Sequence, residues 1–304
     1  MATAAASILS RFERLVPRQM PRRSFLLYAI YTIALFLLFL VLTFPHDLVA
    51  RRYAREIARE TGWDLRFDDA SLVPWAGYRF SNFRVQAPGA GATPWIGADR
   101  VSFRPSLQTL FGGGLSAASF YGEAYGGEFS GSTRLGETTT VDLSWQRLDL
   151  AQYPRLAEII DGRWNGVLSG DLHLESRESL RDTEGRARLS LRDGSLTGGS
   201  AQGFTVPDLT ATQGDGEVEI KGGRLEIRTL KLTGAEIDAD IRGQLYLRTP
   251  LLQSVVNATL SVKPVPGAAP GIDGLLTLLN RGQKPAGGTY SFTLYGMLSQ
   301  IRVR

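Results

Sequence analysis

Two hydrophobic periods divide the chain. From Phe25 to Phe44, "FLLYAIYTIALFLLFLVLTF", 20 residues carry no charge, and Thr32 and Thr43 are the only non-aromatic polar positions. A helix of that length rises about 30 Å, the thickness of a bilayer's hydrocarbon core. A core helix this long keeps a polar stripe, and this one has none. A cleaved signal peptide has a shorter apolar core, about 7–15 residues, ending at a small-x-small site. Here only Leu48-Val49-Ala50 resembles such a site, and it falls inside the next predicted helix. The pattern predicts an uncleaved transmembrane signal anchor over 25–44, preceded by a basic segment over 1–24.

Pro45 stops that run by removing a backbone donor, and Asp47 is placed to cap a second helix. In "DLVARRYAREIARETG", Leu48/Val49, Tyr53 and Ile57 recur at four-residue spacing while Arg51, Arg55 and Arg59 line another side, and Gly62 is the expected stop. This predicts an amphipathic membrane-exit helix over 45–62. Arg51, Arg52, Arg55 and Arg59 are candidate contacts to lipid headgroups; a solvated face on a domain-leading helix is the equal alternative.

From Trp63 onward the period is two. Val141, Leu143 and Trp145 alternate with polar residues, as do Leu172 and Leu174, Ala187, Leu189 and Leu191, and Val218 and Ile220. The same holds for Leu225, Ile227, Leu230 and Leu232, for Ile237, Ala239 and Ile241, for Val256, Ala258, Leu260 and Val262, and for Tyr290, Phe292 and Leu294. Such alternation marks antiparallel strands with one buried and one wet face. Gly-Gly, Asp-Gly and Thr-Gly breaks at spacings of about 8–12 residues suit hairpin connections. Two short helices interrupt, "AQYPRLAEIIDG" and "GIDGLLTLLNRG", each followed by a Gly and a strand, a weak internal repeat with its boundary near Tyr153 or Asp161. "KPVPGAAPG" (Lys263–Gly271) reads as a linker ahead of a final helix-plus-strand element, and "APGAGATP" (Ala87–Pro94) as a surface loop. The fold expected for 63–304 is a mainly β, elongated antiparallel sheet domain with two or three short helices. Long strands must bury their apolar face. With so few helices to cover it, the sheet either packs on itself as a sandwich or stays open as a trough around a ligand.

Charge sharpens the picture. The net charge is +4, but residues 1–60 hold nine Arg, no Lys and four acids, so they carry +5 and the remaining 244 residues sum to −1. The basic character flanks the apolar run; a nucleic-acid binder would cluster it on the folded body. Arg22 and Arg23 abut the run whereas Arg51 lies seven residues beyond it, which predicts a cytoplasmic N-terminus and a periplasmic C-terminal domain. The chain has no cysteine, which excludes disulfides, thiolate metal sites and cysteine nucleophiles.

Chemistry is otherwise sparse. His46 and His173 have no metal-ligand spacing. Asp68 and Asp69, adjacent on a strand, point to opposite faces and make a poor acid/base pair. Gly112-Gly113-Gly114 lacks the Lys-Ser/Thr of a phosphate loop, and no G-x-S-x-G occurs. Trp63, Trp75, Tyr78, Phe80, Phe83 and Trp95 cluster early, as a core for the first strands or as an interface patch. No catalytic residue, metal ligand or cofactor site is expected, and the reading is non-enzymatic.

The ends of the chain carry a resemblance. "LTFPHDLVARRYARE" followed by "GWDLRFDDASLVPWAGYRFSNFRV", with Phe44-Pro45, Gly62, Pro74, Gly77 and Phe80/Phe83 in their places, resembles the start of the type II secretion system protein N family, and "GGTYSFTLYGMLSQIRVR" resembles its end. A Pro usual near that family's C-terminus is absent. The middle, from "DGRWNGVLSGDLHL" to "GAEIDADIRGQLYL", resembles the AsmA-like superfamily of anchored proteins that curl an antiparallel sheet around an apolar inside. The resemblances imply a single-pass bacterial inner-membrane protein with a periplasmic β domain. It would act as an assembly or accessory component of type II protein secretion, with other secretion proteins as partners. The alternative they imply is an AsmA-like carrier of phospholipid or another apolar ligand.

Overall fold

The computed structural model describes residues 22–43, 46–73, 77–86, 94–106, 117–159, 161–177, 182–201, 204–248, 253–268, 270–280, 282–297 and 300–303. Arg11, Arg14, Arg18, Phe44-Pro45, Pro74, Trp75, Gly112–Gly114 and all but Pro94 of the Ala87–Pro94 loop lie outside them. The chain divides into one unit at Met1–His46 and a second at Asp47–Arg304.

In the first unit, α1 (Arg22–Thr43) is one helix of 22 residues, about 33 Å long. Leu26, Leu27, Ile30, Ile33, Phe36 and Phe39 are all exposed, so apolar side chains stand on more than one side of it. Taken over the described residues alone, no helix is long and apolar enough to cross a membrane. The side chains at 25, 37 and 40–42, all within the expected 25–44 span, lie outside the description.

The second unit begins with α2 (His46–Thr61), and Gly62 ends it at φ +74° with its N–H on the Ala58 carbonyl. Strands follow at β1 (Asp64–Arg66), β2 (Asp69–Val73), β3 (Gly77–Gln86), β4 (Ile96–Pro105), β5 (Ala117–Ala124), β6 (Gly127–Arg134) and β7 (Thr139–Asp149). A 3-10 turn (Leu150–Gln152) and α3 (Leu156–Ile159) lead to β8 (Asp161–Ser176), β9 (Glu184–Ala201), β10 (Phe204–Val206), β11 (Leu209–Lys221), β12 (Arg224–Gly234), β13 (Ile237–Tyr246) and β14 (Val255–Pro264). The last elements are α4 (Pro270–Leu279), β15 (Tyr290–Met297) and β16 (Gln300–Val303).

All sixteen strands form one antiparallel sheet in near-sequential order, with β2 and β10 as side branches on β3 and β9. The sandwich alternative is therefore corrected: there is one open sheet, because among the described residues every strand joins the same ladder, and only β1 on β3 and β11 on β9 pair past a sequence neighbour. The linker reading of Lys263–Gly271 also changes. β15 pairs with β14 from Val255↔Met297 to Val262↔Tyr290, so the final strands belong to the main sheet and the segment only carries α4 across it. Nor does the repeat suggested near Tyr153 divide the unit, since β7 and β8 pair directly.

Three intervals break the two-residue alternation of the apolar face. Trp145 and Leu148, and Ile227 and Leu230, are each three apart with a register shift between them; Phe80 and Phe83 are also three apart and both pack against the α2 core, with the β3–β4 register unshifted across them. At two of them a residue is left-handed, Asn82 at φ +50° and Arg147 at φ +56°. At the two register shifts, in β7 and β12, one extra residue re-phases the strand so that both flanking apolar side chains point the same way.

The core sits at the two ends of that face. Ala54 of α2 packs with Phe67, Ala70, Phe80 and Phe83 at the β1–β3 end. Ile272 and Leu276 of α4 pack with Ala239, Val262, Tyr290 and Phe292 at the β13–β15 end.

Candidate functional site

Cross-strand partners share a face, and following them from strand to strand yields one continuous row. It runs Phe80, Val101, Gly122, Phe129, Trp145, Gly170, Leu189, Gly216, Leu230, Ile241, Leu260, Phe292, from β3 to β15, without a polar side chain. A parallel row runs Phe103, Phe120, Gly131, Leu143, Leu172, Ala187, Val218, Ile227, Gly243, Ala258, Leu294. At about 4.8 Å per strand, twelve strands extend the first row some 50 Å.

The glycines in these rows lie beneath their neighbours' large side chains. A Cβ on Gly122 would stand 2.6 Å from the Phe129 ring, and one on Gly170 2.5 Å from the Trp145 ring; Gly131 meets Phe120 in the same way. Large against bare positions let the rings lie flat along the sheet.

Within the second unit, α2 and α4 pack on the two ends of this face, and the stretch between those ends lies outside both core clusters. Val101, Phe103, Phe120, Phe129, Trp145, Leu172, Leu189 and Leu230 all stay half-buried there. Fully burying one such side chain is worth about 1.5–3 kcal/mol, so a half-buried apolar face of this extent is a candidate binding surface.

The arginines expected at the membrane surface occupy different situations. Arg51 Nε pairs with Asp47 at 2.8 Å, its Nη2 donates to the Asp68 carbonyl at 2.9 Å, and its guanidinium lies 5.3 Å from the centre of the Phe67 ring. Its side chain thus ties α2 to the β1–β2 edge. Arg55 Nε donates to the Arg51 carbonyl at 3.3 Å, and Arg59 is 3.5 Å from Glu56. Arg52 is exposed and makes no ion pair among the described residues. The helix packs through Ala50 and Ala54, while Leu48 and Tyr53 point out, 67% and 68% exposed. The residues that meet the sheet are small ones, because the sheet supplies the bulk (Phe67, Phe80, Phe83) and the helix approaches it closely.

The early aromatics divide. Phe80 and Phe83 belong to the α2 core, with Phe67 and Phe80 edge to face at 5.2 Å. Trp63 and Trp95 meet edge to face at 6.4 Å at the strand ends, with Arg155 over Trp95 at 4.6 Å.

On the opposite, polar face, His173 Nδ1 lies 2.6 Å from Asp142 and Nε2 3.3 Å from Glu175. The Asp142 hydrogen bond is the main reason its pKa rises above the ordinary 6.5, with Glu175 adding to it. The stabilisation from this raised pKa is fully present below the unfolded value and is lost as pH rises through the folded one. We expect a His173 NMR titration midpoint above 6.5, brought back toward it by Asp142→Asn; an unshifted midpoint would refute the pairing. No group of three metal-ligating side chains converges among the described residues. No known protein family, curated protein or solved structure matches the chain.

Proposed function

We propose that the chain is a non-enzymatic, membrane-anchored protein of the bacterial cell envelope whose open apolar sheet face holds the acyl chains of phospholipid. In this reading α1 crosses the inner membrane with its N-terminus in the cytoplasm, and the sheet lies in the periplasm. The observation that carries it is the unbroken apolar row from Phe80 to Phe292, with α2 and α4 packed at its two ends. Phospholipid supplies an apolar chain for the row and keeps its headgroup in water. The helical run at 22–43, with exposed apolar residues on more than one side, supports the anchor.

The system served is type II secretion, where the protein acts as an accessory component among other secretion proteins. What supports this is the order of elements implied by the resemblance to the protein N family. An arginine-rich helix ends at Gly62, Phe80 and Phe83 are brought onto one face, and a Gly-aromatic strand β15 precedes a short β16. The outer edge of β16 is a template for strand addition by a partner.

A photo-crosslinking residue placed in the full chain in cells tests the first reading. At Leu189, on the apolar face, it is expected to capture phospholipid; at Arg188, one residue away on the other face, it is not. Equal capture at both, or none at Leu189, would overturn acyl-chain binding. Normal secretion after deletion of the protein would remove the secretion assignment while leaving the lipid result to stand by itself.

A further inference from the structure

The polar face has a feature that acyl-chain binding does not use. A hollow of about 610 Å³ lies across β3 to β8, with Arg79 and Arg104 at one end and Asp171 and the Asp142–His173 pair at the other. Between them the floor is made of Tyr121, 51% exposed, and short side chains such as Ser130. The hollow exists because the side chains of its floor are too short to cover the sheet. Elsewhere on the same face long charged residues lie across it in pairs, Arg228 with Glu219, Arg242 with Asp240 at 3.0 Å, and Arg100 with Glu123 at 3.3 Å. Arg79, Arg104 and Asp171 make no ion pair among the described residues, although opposite charges share the basin. They stand at its two ends, four or five strand spacings or about 19–24 Å apart, too far to meet.

Those groups define a ligand. The backbone donors and acceptors of interior strands are spent in the ladder, so recognition falls to side chains. That disfavours an extended peptide, which binds at sheet edges. Two arginines offset by two aspartates do not make the basic stripe a nucleic acid requires. Two unpaired guanidiniums suit a carboxylate or phosphate. A hydroxyl-lined floor and a far-end carboxylate suit ring hydroxyls, and an exposed tyrosine ring offers a flat surface to the apolar side of a sugar. We propose that this basin binds an anionic oligosaccharide of about two or three rings, a size matched to its volume. Its acid group sits on Arg79 and Arg104 and its hydroxyls reach toward Asp171. The same chemistry is offered by a glycolipid headgroup and by a soluble glycan.

Calorimetry on the full chain in phosphatidylcholine nanodiscs, with trigalacturonate as the probe and maltotriose as its neutral counterpart, tests this. Trigalacturonate is expected to bind and maltotriose to bind more weakly. Arg79→Ala with Arg104→Ala is expected to weaken trigalacturonate about tenfold or more, to the neutral sugar's level. Ser130→Leu, which fills the floor from a solvent-facing position, is expected to abolish binding, whereas Lys231→Ala on the same face leaves it unchanged. No trigalacturonate binding, or binding indifferent to Ser130→Leu in protein whose circular dichroism is intact, would overturn the proposal. Doping the nanodisc with a uronic-acid glycolipid separates the sources: loss of trisaccharide binding identifies a headgroup at the membrane, and unchanged binding a soluble glycan.

Discussion

Valine at Gly131 is expected to destabilise the second unit by about 3 kcal/mol, one of the largest effects open to a single added side chain in this sheet. Gly131 stands in the middle of β6, on the apolar face, between Phe120 of β5 and Leu143 of β7. The Phe120 ring and the Asp142 carbonyl already occupy the space a Cβ would take. Backbone on one side cannot yield without opening the β6–β7 ladder, and the ring on the other can yield only by leaving its flat position over the sheet. Gly136→Ala, in the adjoining turn, serves as the control. Its nearest neighbour would be the Thr138 carbonyl at 3.8 Å, so its effect should stay within about 0.5 kcal/mol. Denaturant unfolding of the full chain followed by tryptophan fluorescence measures both. Equal midpoints for the two variants would mean that the glycine–aromatic interleaving is not what holds these strands together.

That interleaving also explains which strands are legible in the sequence. From β7 to β15 the apolar face carries Leu, Val, Ile or aromatic residues often enough that period two stands out, as in Val141, Leu143 and Trp145. β5 and β6 hide their alternation, because Gly122 and Gly131 occupy apolar-face positions and a glycine reads as a turn. What fills such a position is a ring from the next strand, a fact about pairing and not about local sequence. The three-residue intervals at Trp145/Leu148 and Ile227/Leu230 look like lapses in the pattern until register shows that a bulge has preserved it. Arg51 shows the same limit on a helix: its spacing places it with Arg55 and Arg59, but Asp47, Phe67 and the Asp68 carbonyl turn it to the sheet edge. Choosing between sandwich and open sheet depends on whether all the strands join one ladder, which no local period encodes.

The polar basin was legible only in fragments. His173 is readable as a polar-side residue from Leu172 and Leu174 flanking it. Its meeting with Asp142, and the gathering of Arg79, Arg104 and Asp171 around one hollow, needs six strands in register.

At the far end of the apolar face, Tyr290→Ala is expected to cost about 4 kcal/mol, because it removes the one large side chain there that is wholly buried. The ring fills the space between Ile272 and Leu276 of α4 and Val262 of the sheet. Its hydroxyl donates to Asp273 Oδ1 at 2.8 Å and lies 2.8 Å from Thr277 Oγ1, so it also pins the helix in register. Tyr290→Phe keeps the packing and leaves those two partners short, and should lose about 1–3 kcal/mol. Lys284 donates to Asp273 at 2.5 Å, and this bond, with the Tyr290 hydroxyl next, holds the Asp273 carboxyl below its ordinary 3.8. A lowered carboxylate pKa stabilises above the unfolded value and ceases to as pH falls through the folded one. The difference between wild type and Tyr290→Phe should therefore narrow only in acid below pH 4. Hydrogen exchange distinguishes this from a general loss of stability: the amides of α4 should open before those of β14. If the phospholipid reading holds, a photo-crosslinker at Leu260, beside α4 on the apolar row, should capture more lipid in Tyr290→Phe than in wild type. Unchanged capture alongside faster α4 exchange would mean that α4 completes the core without governing access to the face.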